Sequence, residues 1–550
     1  MTLRLRNTLG RRLDAVAADG PVRIYTCGPT VYRPAHLGNL RSYLLADVLR
    51  RVLLYHGLAV RHVKNVTDVG HLVDERQEEG PDRMLLAAEM EGKHPTEIAA
   101  IYEARFHADE ARLNILPANV YPRASEHVAD MLRLVEALVD RGSAYVAPSG
   151  IVYFAVETDP AYGELSGNDL DRLRAGYRAA VDPEKRHPAD FALWRPAGQG
   201  RLLAWPSARF GRGFPGWHIE CTAMGLRYLG PEFEIHTGGI DNVFPHHEDE
   251  ITQARALTGR LPARTWVHGE HLLMGGRKMA KSAGNVLLVD DLVERGLDPL
   301  AFRYLCATVR YGHKLRATEA SLAAADAGLR SLRTTLRSLG PPPPDGPWAA
   351  PLPLRAAPPP PRPEGIADGP TGHGRAEPPF PLSDRAHVPT APLSPAGRRL
   401  HDRFVDALDD DLDLPRALGV VREILAADLA ADERRWLVLD ADVVLGLDLD
   451  RVWDQPPEGR ARVGVSTRAA APPEDVRHLA AARAEARSRH DFEAADRLRA
   501  ELAARGWRVV DRPDGSSELE AVGGDGRPRP QGAGGPTARS RRRPKRRMTR

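Results

Sequence analysis

Cysteine is scarce in this chain, with three residues among 550. So few cysteines give no basis for a disulfide framework, and a reducing cytoplasm is the expected location. Long apolar runs are also missing, since none approaches the roughly 20 residues that a membrane-spanning helix needs. The first residues, Met-Thr-Leu-Arg, lack the apolar stretch of a secretory signal. We therefore expect a protein without a membrane segment.

Net charge is low as well, at +3 over the whole chain, and it is unevenly distributed. Residues 521–550 contain ten Lys and Arg but a single acidic residue, Asp525, so the rest of the chain is net acidic. A uniformly basic nucleic-acid binder is therefore excluded. The tail could gather phosphate through counterion release, but its composition is more typical of a solvated, disordered terminus.

What is present begins with a βα unit. Residues 22–25 form an apolar-rich run, residues 27–35 form a loop with glycine and two prolines, and apolar residues recur at helical spacing from Gly38 onward. Residues 58–63 then alternate like a strand. A strand, a tight loop and a helix in this order predict an α/β protein with a doubly wound parallel, Rossmann-type nucleotide-binding sheet.

Changes in composition divide the rest of the chain. Strand-like runs resume at 233–236 and 265–267, so the stretch before them is predicted to be an insertion that splits the sheet. Residues 341–395 are dominated by proline with glycine and alanine, which cannot bury a core and favours an extended spacer. Residues 396–505 are rich in Ala, Leu and Arg at helical spacing and predict an all-α C-terminal domain.

Residues 36–39, His-Leu-Gly-Asn, lie at the predicted junction between the first strand and its helix. A helix N-terminus offers unpaired backbone N–H groups and a positive dipole end, which suit phosphate oxygens. The His36 imidazole can reach a phosphate, and Gly38 lets a nucleotide approach the backbone. A four-residue pattern of this kind occurs often by chance. The predicted strand, loop and helix around it are what favour ATP binding.

Residues 278–282, Lys-Met-Ala-Lys-Ser, follow a Gly-Gly pair. Lys278 and Lys281 bring two ammonium groups onto one loop, which suits a transition state that develops charge on pyrophosphate. Taken alone, the segment is equally compatible with an ordinary basic surface loop. Its place downstream of the His36 segment favours the catalytic interpretation.

A third group, drawn from three separate segments, has the chemistry of a metal site. Its members are Cys27, Cys221, His246 and Glu250. The last two are four residues apart after Pro245, which predicts one helix face for both. Two thiolates, an imidazole and a carboxylate are a reasonable tetrahedral zinc set. Without a local CxxC pair, buried thiols and a solvated helix pair remain the alternative.

These segments resemble those of class I aminoacyl-tRNA synthetases, and over residues 20–335 and 400–511 the chain resembles the bacterial cysteinyl-tRNA synthetase family. The matching segments are 27–32 (Cys-Gly-Pro-Thr-Val-Tyr), 65–69 (Asn-Val-Thr-Asp-Val), 190–194 (Asp-Phe-Ala-Leu-Trp), 216–221 (Gly-Trp-His-Ile-Glu-Cys), 236–241 (His-Thr-Gly-Gly-Ile-Asp) and 246–250 (His-His-Glu-Asp-Glu).

The resemblance implies a site and a reaction. One zinc ion would be held by the four residues named above, and the thiolate of the substrate L-cysteine would join them. Thr67, Trp217 and His236, with Cys27, would lie around the substrate, although the first three could equally be packing residues. ATP with Mg²⁺ would be bound by His36, Gly38, Asn39, Gly239, Asp241 and Lys281. Cysteinyl-adenylate would form first, and tRNA(Cys) would then accept the cysteinyl group.

The resemblance also implies a domain plan and a monomer. The predicted boundaries are 1–120 and 213–265 for the two halves of the Rossmann catalytic domain, 121–212 for a connective insertion, 266–338 for the lysine-loop and stem-contact region, 339–395 for a disordered Pro-rich linker, 396–520 for a helical anticodon-binding domain and 521–550 for a disordered basic tail. Asn39 and Ala280 stand where the family usually has histidine and serine. We expect both to alter rates without abolishing function.

Three alternatives remain open. An amide ligase that builds mycothiol shares the fold and the zinc and also forms cysteinyl-adenylate, but it would not need residues 400–511. A non-catalytic tRNA-binding paralogue would have lost His36, Lys281 or a metal ligand, and all are present. A second copy of the enzyme with a narrowed role is compatible with the same residues.

Overall fold

The computed structural model describes most of the chain and divides it into two compact units, Met1–Asp454 and Gln455–Arg550. The described residues are 3–17, 20–70, 72–74, 79–170, 182–274, 277–278, 286–356 and 391–454, short pieces between 479 and 502, and strands at 507–511 and 517–521. Within them, no helix combines the length and the apolarity that crossing a membrane requires.

The strands of the first unit form several small sheets around one parallel sheet. They are β1 (Arg4–Asn7), β2 (Arg12–Ala15), β3 (Val22–Thr26), β4 (Val60–Lys64), β5 (Leu72–Asp74), β6 (Glu79–Asp82), β7 (Ala144–Val146), β8 (Val152–Phe154), β9 (Phe191–Pro196), β10 (Gly213–Pro215), β11 (Phe233–Gly239), β12 (Ala263–Gly269), β13 (Leu272–Met274), β14 (Arg277–Lys278) and β15 (Leu315–Arg316).

The α-helices of this unit cover the parallel sheet and build a separate bundle. They are α1 (Leu37–Tyr55), α2 (Arg83–Glu91), α3 (Pro95–Arg112), α4 (Val128–Asp140), α5 (Trp217–Leu229), α6 (Glu248–Thr258), α7 (Val289–Glu294), α8 (Pro299–Cys306), α9 (Glu319–Ser338), α10 (Pro395–Asp409), α11 (Leu414–Ala426) and α12 (Ala431–Leu445).

The central sheet has the strand order β12-β11-β3-β4, and every neighbouring pair is parallel. After β3 the chain crosses over through α1 to β4, whereas after β11 it crosses through α6 to β12 on the other side. Ligands of doubly wound folds bind where the winding reverses, outside the carboxyl ends of the strands. The Rossmann-type sheet is thereby confirmed, and its crevice lies between the ends of β3 and β11.

A second, antiparallel sheet lies in the segment predicted to be an insertion. Its order is β10-β9-β8-β7, and its buried face packs with α4 and α5 in a second hydrophobic core. Strand β10 belongs to this sheet, so the inserted sheet reaches Pro215, a little beyond the predicted limit at 212. Residues of this sheet pack in the same hydrophobic core as residues of α5, β11 and α6, so the insertion and the second half of the catalytic domain share one core.

Helix α1 joins the parallel sheet to the C-terminal helices. It is buried along nearly its whole length, and in its middle Arg51 forms a fully buried ion pair with Asp47. Arg303 of α8 binds the same carboxylate at 2.6 Å. At the far end, Tyr55 donates to Asp440 of α12 at 2.6 Å, and His56 Nε2 lies 2.7 Å from an oxygen of Asp409.

The prediction of a disordered linker over 339–395 is wrong for its first part. Leu354 O accepts a hydrogen bond from the buried Arg51 guanidinium, Ala356 N–H donates to Asn114, and Arg355 pairs with Asp450. An extended proline-rich chain has no internal backbone hydrogen bonds, so its carbonyls are available to a buried cation. Residues 357–390 lie outside the described part.

The helical domain predicted over 396–520 is divided in the structure. Helices α10 to α12 belong to the first unit, whereas residues from 455 onward form the second. The second unit contains helical pieces between 479 and 502 and an antiparallel pair, β16 (Trp507–Asp511) and β17 (Ser517–Ala521). This strand pair follows the residues, 396–505, whose spacing predicted helices. Apart from Ala521, the predicted basic tail lies outside the described residues.

Candidate active site and metal centre

Residues at the carboxyl ends of β3 and β11 surround the crevice of the parallel sheet. Cys27 directly follows β3, and Gly239 ends β11. Cys221 comes from the first turns of α5, and Glu250 from the first turn of α6. Three separate segments therefore deliver the side chains of Cys27, Cys221 and Glu250 to one place, which is why no single local spacing reveals the whole group.

The predicted metal ligands are brought together. One ligand atom from each of Cys27, Cys221, His246 and Glu250 lies within 4.8 Å of the others, and three of the four residues are buried. The Sγ atoms of the two cysteines are 3.8 Å apart, and Cys27 Sγ is 3.6 Å from Glu250 Oε1. These four side chains could hold a metal ion.

A second group overlaps with the first. Cys27 and Glu250 also cluster with His236 and His247 within the same distance. His247 Nε2 is 3.2 Å from Cys27 Sγ, while its Nδ1 is 2.7 Å from Nε2 of His268. Both nitrogens of His247 are therefore engaged in hydrogen bonds, which favours the group containing His246.

His246 is held by its neighbours with one nitrogen directed at the cluster. Its Nδ1 is 2.9 Å from Nδ1 of His218, whose Nε2 lies 3.2 Å from Asp249. Trp217 stacks on the His246 ring with centroids 4.2 Å apart. Histidine ligands are commonly oriented by such a chain through the second ring nitrogen.

The local backbone agrees with the predicted helix start at Pro245. A π-helical turn over Val243–His247 is non-helical only at Phe244 and leads directly into α6, so His246 lies one turn before Glu250. His246 Nε2 is 3.0 Å from Glu250 Oε1. That nitrogen faces the cluster, and its lone pair becomes available to a metal ion once its proton is released.

The two thiols share one proton. Burial raises the pKa of the Cys27 thiol well above its usual value, and its hydrogen bond with Cys221 raises it further. Burial also opposes ionisation of Cys221, but the hydrogen bond from Cys27 and the nearby His246 outweigh it and bring the pKa of Cys221 to about 6. At neutral pH, Cys221 is therefore a thiolate and Cys27 a thiol.

The carboxylate and the imidazoles are also strongly perturbed. Burial opposes ionisation of Glu250, but His236 and His246 outweigh it and lower its pKa to about 2. Burial lowers the pKa of His246, yet Glu250 and Cys221 raise it well above its usual value. His247 has a pKa well below the usual value because of burial and the neighbouring histidines. Without a metal ion, the cluster therefore combines the anions of Cys221 and Glu250 with a protonated His246, and His247 behind them is neutral.

Residues 36–39, the first of the two segments predicted to bind ATP, form the N-terminal cap of α1. His36 is the N-cap residue, its Nδ1 accepts from the backbone N–H of Asn39 at 3.1 Å, and Asn39 Oδ1 accepts from the backbone N–H of His36 at 3.3 Å. This reciprocal capping box needs a side-chain acceptor at position 39, which asparagine supplies. With Nδ1 accepting, Nε2 is the nitrogen that carries the proton in the neutral ring.

Of the second segment predicted to bind ATP, residues 278–282, the structure describes only Lys278. Lys278 lies in β14, whose backbone pairs with β13, and Lys281 lies outside the described residues. The chain re-enters at 286, and Leu287 O accepts from the backbone N–H of Leu37 at 2.8 Å. The chain that follows this segment is thus hydrogen-bonded beside His36, at the N-terminus of α1.

Thr67 lies beside the loop that carries Cys27. Its backbone N–H donates to Pro29 O, and Thr67 O accepts from the backbone N–H of Val31. The loop can come this close because residue 28 is glycine, where an added Cβ would stand 1.6 Å from the carbonyl oxygen of Asn65. Thr67 is therefore fixed within a few residues of a metal ligand.

The other predicted substrate and nucleotide residues occupy different surroundings. His236 is buried, and its Nε2 lies 3.0 Å from Glu250 Oε2, so it contacts a metal ligand. Gly239 passes Ser42 of α1 so closely that a Cβ would lie 3.2 Å from the serine oxygen. Asp241 is exposed, with an oxygen 3.6 Å from His271. Gly38 lies in the first turn of α1.

Comparison with known proteins decides the family. Residues 14–327 match the family described as tRNA synthetases class I (C) catalytic domain. The chain is 38% identical to the cysteine–tRNA ligase of Thermus thermophilus over 94% of this chain and 98% of that protein. It is 39% identical to cysteine–tRNA ligase 1 of Burkholderia lata over 90% of this chain and 92% of that protein. The chain belongs to the cysteine–tRNA ligase family.

The fold agrees with that membership. The chain is similar to the LeuRS of Agrobacterium radiobacter K84, solved as a ternary complex with tRNA and LeuAMS, with a TM-score of 0.51 and 11% identity over 80% of this chain and 85% of that one. At this identity the likeness shows the fold alone, which is that of a class I aminoacyl-tRNA synthetase.

Several residues of this cysteine–tRNA ligase family member were not predicted from the sequence. They are Asn65, His218, Glu220, His247, Asp249 and His268. All of them except His268 lie inside segments that matched the family, and that was the available signal. Their roles depend on hydrogen bonds between distant segments, such as the 2.8 Å bond from Thr67 Oγ1 to Glu220. Spacing along the chain does not report such bonds.

Proposed function

We propose that this chain activates L-cysteine with MgATP to cysteinyl-adenylate and transfers the cysteinyl group to the 3′ end of tRNA(Cys). One bound zinc ion would supply the affinity for a thiolate by which cysteine is selected. The proposed ligands are Cys27, Cys221, His246 and Glu250. The observation that carries the proposal is the convergence of these four side chains, all within 4.8 Å, at the crevice of a synthetase fold.

The donor set fits zinc on chemical grounds. Two sulfurs, one imidazole nitrogen and one carboxylate oxygen make a tetrahedral set of the kind that zinc accepts. Bound zinc supplies a Lewis acid that prefers a thiolate to a hydroxyl group. Serine and alanine differ from cysteine by a single small group, a difference that hydrophobic pockets resolve poorly. Selection by sulfur chemistry removes that difficulty.

Adenylate formation requires little chemistry from the protein beyond position and charge. We propose that His36 donates from Nε2 to a phosphate, because its Nδ1 is occupied by the backbone N–H of Asn39. Lys281, assisted by Lys278, would neutralise the charge that develops on pyrophosphate. Gly38, Gly239 and Asp241 are proposed to contact the nucleotide.

The C-terminal helices are proposed to bind the tRNA. Helices α10 to α12 would contact the stem, and the second unit, Gln455–Arg550, would read the anticodon end. The attachment of α12 to α1 through Tyr55 and Asp440 supports this arrangement, because the helix that carries His36 then also holds the proposed tRNA-binding bundle.

The test is ATP-dependent transfer of labelled cysteine to tRNA by the purified full-length chain. Acid-precipitable, base-labile label on tRNA(Cys), and none with labelled serine, is the expected result. Cysteine-dependent exchange of ATP and pyrophosphate without label on tRNA would instead favour an amide ligase. Absence of both reactions from a folded, zinc-loaded preparation would contradict the proposal.

A further inference from the structure

Arg41 of α1 is a buried cation that donates four hydrogen bonds to backbone carbonyls. It is 6% exposed. Its Nη1 donates to Glu270 O at 2.6 Å and to His271 O at 2.7 Å. Its Nη2 donates to His313 O at 2.6 Å and to Tyr311 O at 3.4 Å. A planar guanidinium with five N–H donors is the side chain that can serve four acceptors at once. No step proposed above uses this residue.

The four carbonyls belong to two segments that lead into neighbouring strands. Residues 270–271 connect β12 to β13, and residues 311–313 precede β15. Strands β13 and β15 pair in parallel, with Leu272 opposite Leu315, so the two segments enter one small sheet side by side. One edge of that sheet is β14, which contains Lys278 and pairs with β13. The guanidinium therefore holds the base of the sheet that carries this lysine.

The chain beyond the lysines is attached to the same end of α1. The backbone N–H of Leu37 is one of the donors that the first turn of a helix leaves without an intrahelical partner, and it donates to Leu287 O at 2.8 Å. Leu37 lies one helical turn before Arg41. Strand β13 on one side of the lysines and Leu287 on the other are therefore both bound to the first two turns of the helix that His36 caps.

The contact of Arg41 also reaches the loop after β11. His271, whose carbonyl accepts from Arg41, has its Nδ1 3.6 Å from an oxygen of Asp241. Asp241 is one of the residues proposed to contact the nucleotide. Arg41 thus connects three elements that are proposed to bind one ATP, namely the N-terminus of α1, the loop of Asp241 and the strand of Lys278.

We propose that Arg41 is a positioning residue for adenylate formation, which fixes β14 and Lys278 relative to His36 so that both act on one triphosphate. The inference rests on the proposed function, since it takes ATP as the ligand. Loss of the guanidinium would release the base of the small sheet, and a displacement of about 1 Å at a reacting group can slow a reaction about 100-fold. Transfer of the cysteinyl group to tRNA comes after pyrophosphate has formed, so it does not require this alignment.

A purely structural role for Arg41 predicts something different. If the side chain only stabilised the core, its loss would impair adenylate formation, transfer to tRNA and cysteine binding together. The two roles separate when the two steps are measured independently. Exchange of ATP and pyrophosphate reports adenylate formation, and single-turnover transfer from isolated, enzyme-bound cysteinyl-adenylate to tRNA reports the second step.

The experiment uses the zinc-loaded full-length chain. Arg41→Gln should slow exchange about 10- to 100-fold and transfer less than about 2-fold, with zinc content and KM for cysteine unchanged. Arg41→Lys keeps the charge but has three donors and no planar fork, so its exchange should still be slower than in the wild type by about 3-fold or more. Arg50→Gln is the matched control. Arg50 is another buried arginine of α1 and donates to Pro117 O, and its loss should lower the melting temperature without changing the ratio of the two rates.

Equal slowing of both steps in Arg41→Gln would show a structural role and overturn the inference, while leaving the proposed function intact. Full exchange activity in Arg41→Lys would also overturn it, because charge alone would then suffice. If the glutamine variant does not fold, the lysine variant has to show the selective loss of exchange, or the inference is wrong. A folded, zinc-loaded wild-type chain with neither exchange nor transfer would overturn the proposed function, and this inference with it.

Discussion

The proposed metal centre and the end of α1 proposed to bind phosphate lie in one crevice but are built in opposite ways. Three of the four residues of the proposed metal centre are buried, with the side chains of His246 1% and Glu250 5% exposed, and each is held by neighbouring side chains. On the proposed nucleotide side, Asp241 is 43% exposed, and His36 is fixed by a backbone N–H. Under the proposed function, buried side chains would preorganise amino-acid recognition, whereas nucleotide recognition would depend on a helix terminus that tolerates change.

The largest expected effect is on the buried side. Cys221→Ser replaces a sulfur that is already ionised near neutral pH with a hydroxyl group that is not. We expect zinc to be lost and KM for cysteine to rise by about 100-fold or more. Metal analysis and ATP–pyrophosphate exchange at varied cysteine concentrations measure both.

Cys306→Ser is the matched control for that variant. This third cysteine ends α8 and packs against the main core, so its substitution should leave zinc content and KM unchanged. A zinc-free Cys221→Ser protein with a normal KM for cysteine would show that the metal has no role in substrate selection.

Zinc binding should depend steeply on pH. At pH 7 the metal-free Cys27 and His246 both carry a proton because their pKa values are raised, whereas Cys221 and Glu250, with pKa values of about 6 and about 2, do not. Zinc must displace the two remaining protons, so its affinity should increase with pH, by about two log units per pH unit between pH 7 and 8.

Calorimetry in two buffers of different ionisation enthalpy would count the protons released on zinc binding. Release of about two protons at pH 7 would support the assignment of His246 as a ligand. Release of one proton would indicate that the second group, with the already neutral His247, holds the metal instead.

A smaller effect is expected one contact away from the ligands. His218→Ala removes the partner of His246 Nδ1 and frees the ring to rotate, so zinc affinity should fall about 10- to 100-fold. Competition with a chromophoric chelator gives the affinity directly. An unchanged affinity would mean that the stacking of Trp217 alone orients the ligand, and Trp217→Leu would then be expected to have the larger effect.

The smallest effect is expected on the nucleotide side. Asn39→Ala removes the acceptor for the His36 N–H but keeps the N–H that binds His36 Nδ1, so ATP–pyrophosphate exchange should slow only about 2- to 10-fold. Asn39→His, which supplies the usual family residue, should keep at least wild-type activity. A loss above 100-fold in Asn39→Ala would indicate direct contact between this side chain and the nucleotide.

Features that depend on neighbouring residues could be predicted from the sequence, whereas contacts between distant segments could not. Strand β3, helix α1 and strand β4 lie close to their predicted positions, because local apolar spacing determines them. Residues 340–356 were predicted wrongly, since nothing in a proline-rich composition reveals that Arg51 and Asn114 bind its backbone. The proposed metal ligands were predicted from motif and resemblance, and the structure brings them together. Their hydrogen-bond partners, such as His218 beside His246, could not be predicted, because these bonds join segments far apart in the chain.

Helix α1 has a consequence for the dimensions of the whole first unit. A helix of 19 residues is about 28 Å long, with His36 capping one end and Tyr55 and His56 bound to the C-terminal bundle at the other. Its middle is locked by Asp47 and Arg51. The length of the helix therefore sets the distance between the His36 imidazole, which is proposed to bind phosphate, and the C-terminal bundle. Any insertion or deletion within the helix would change that distance.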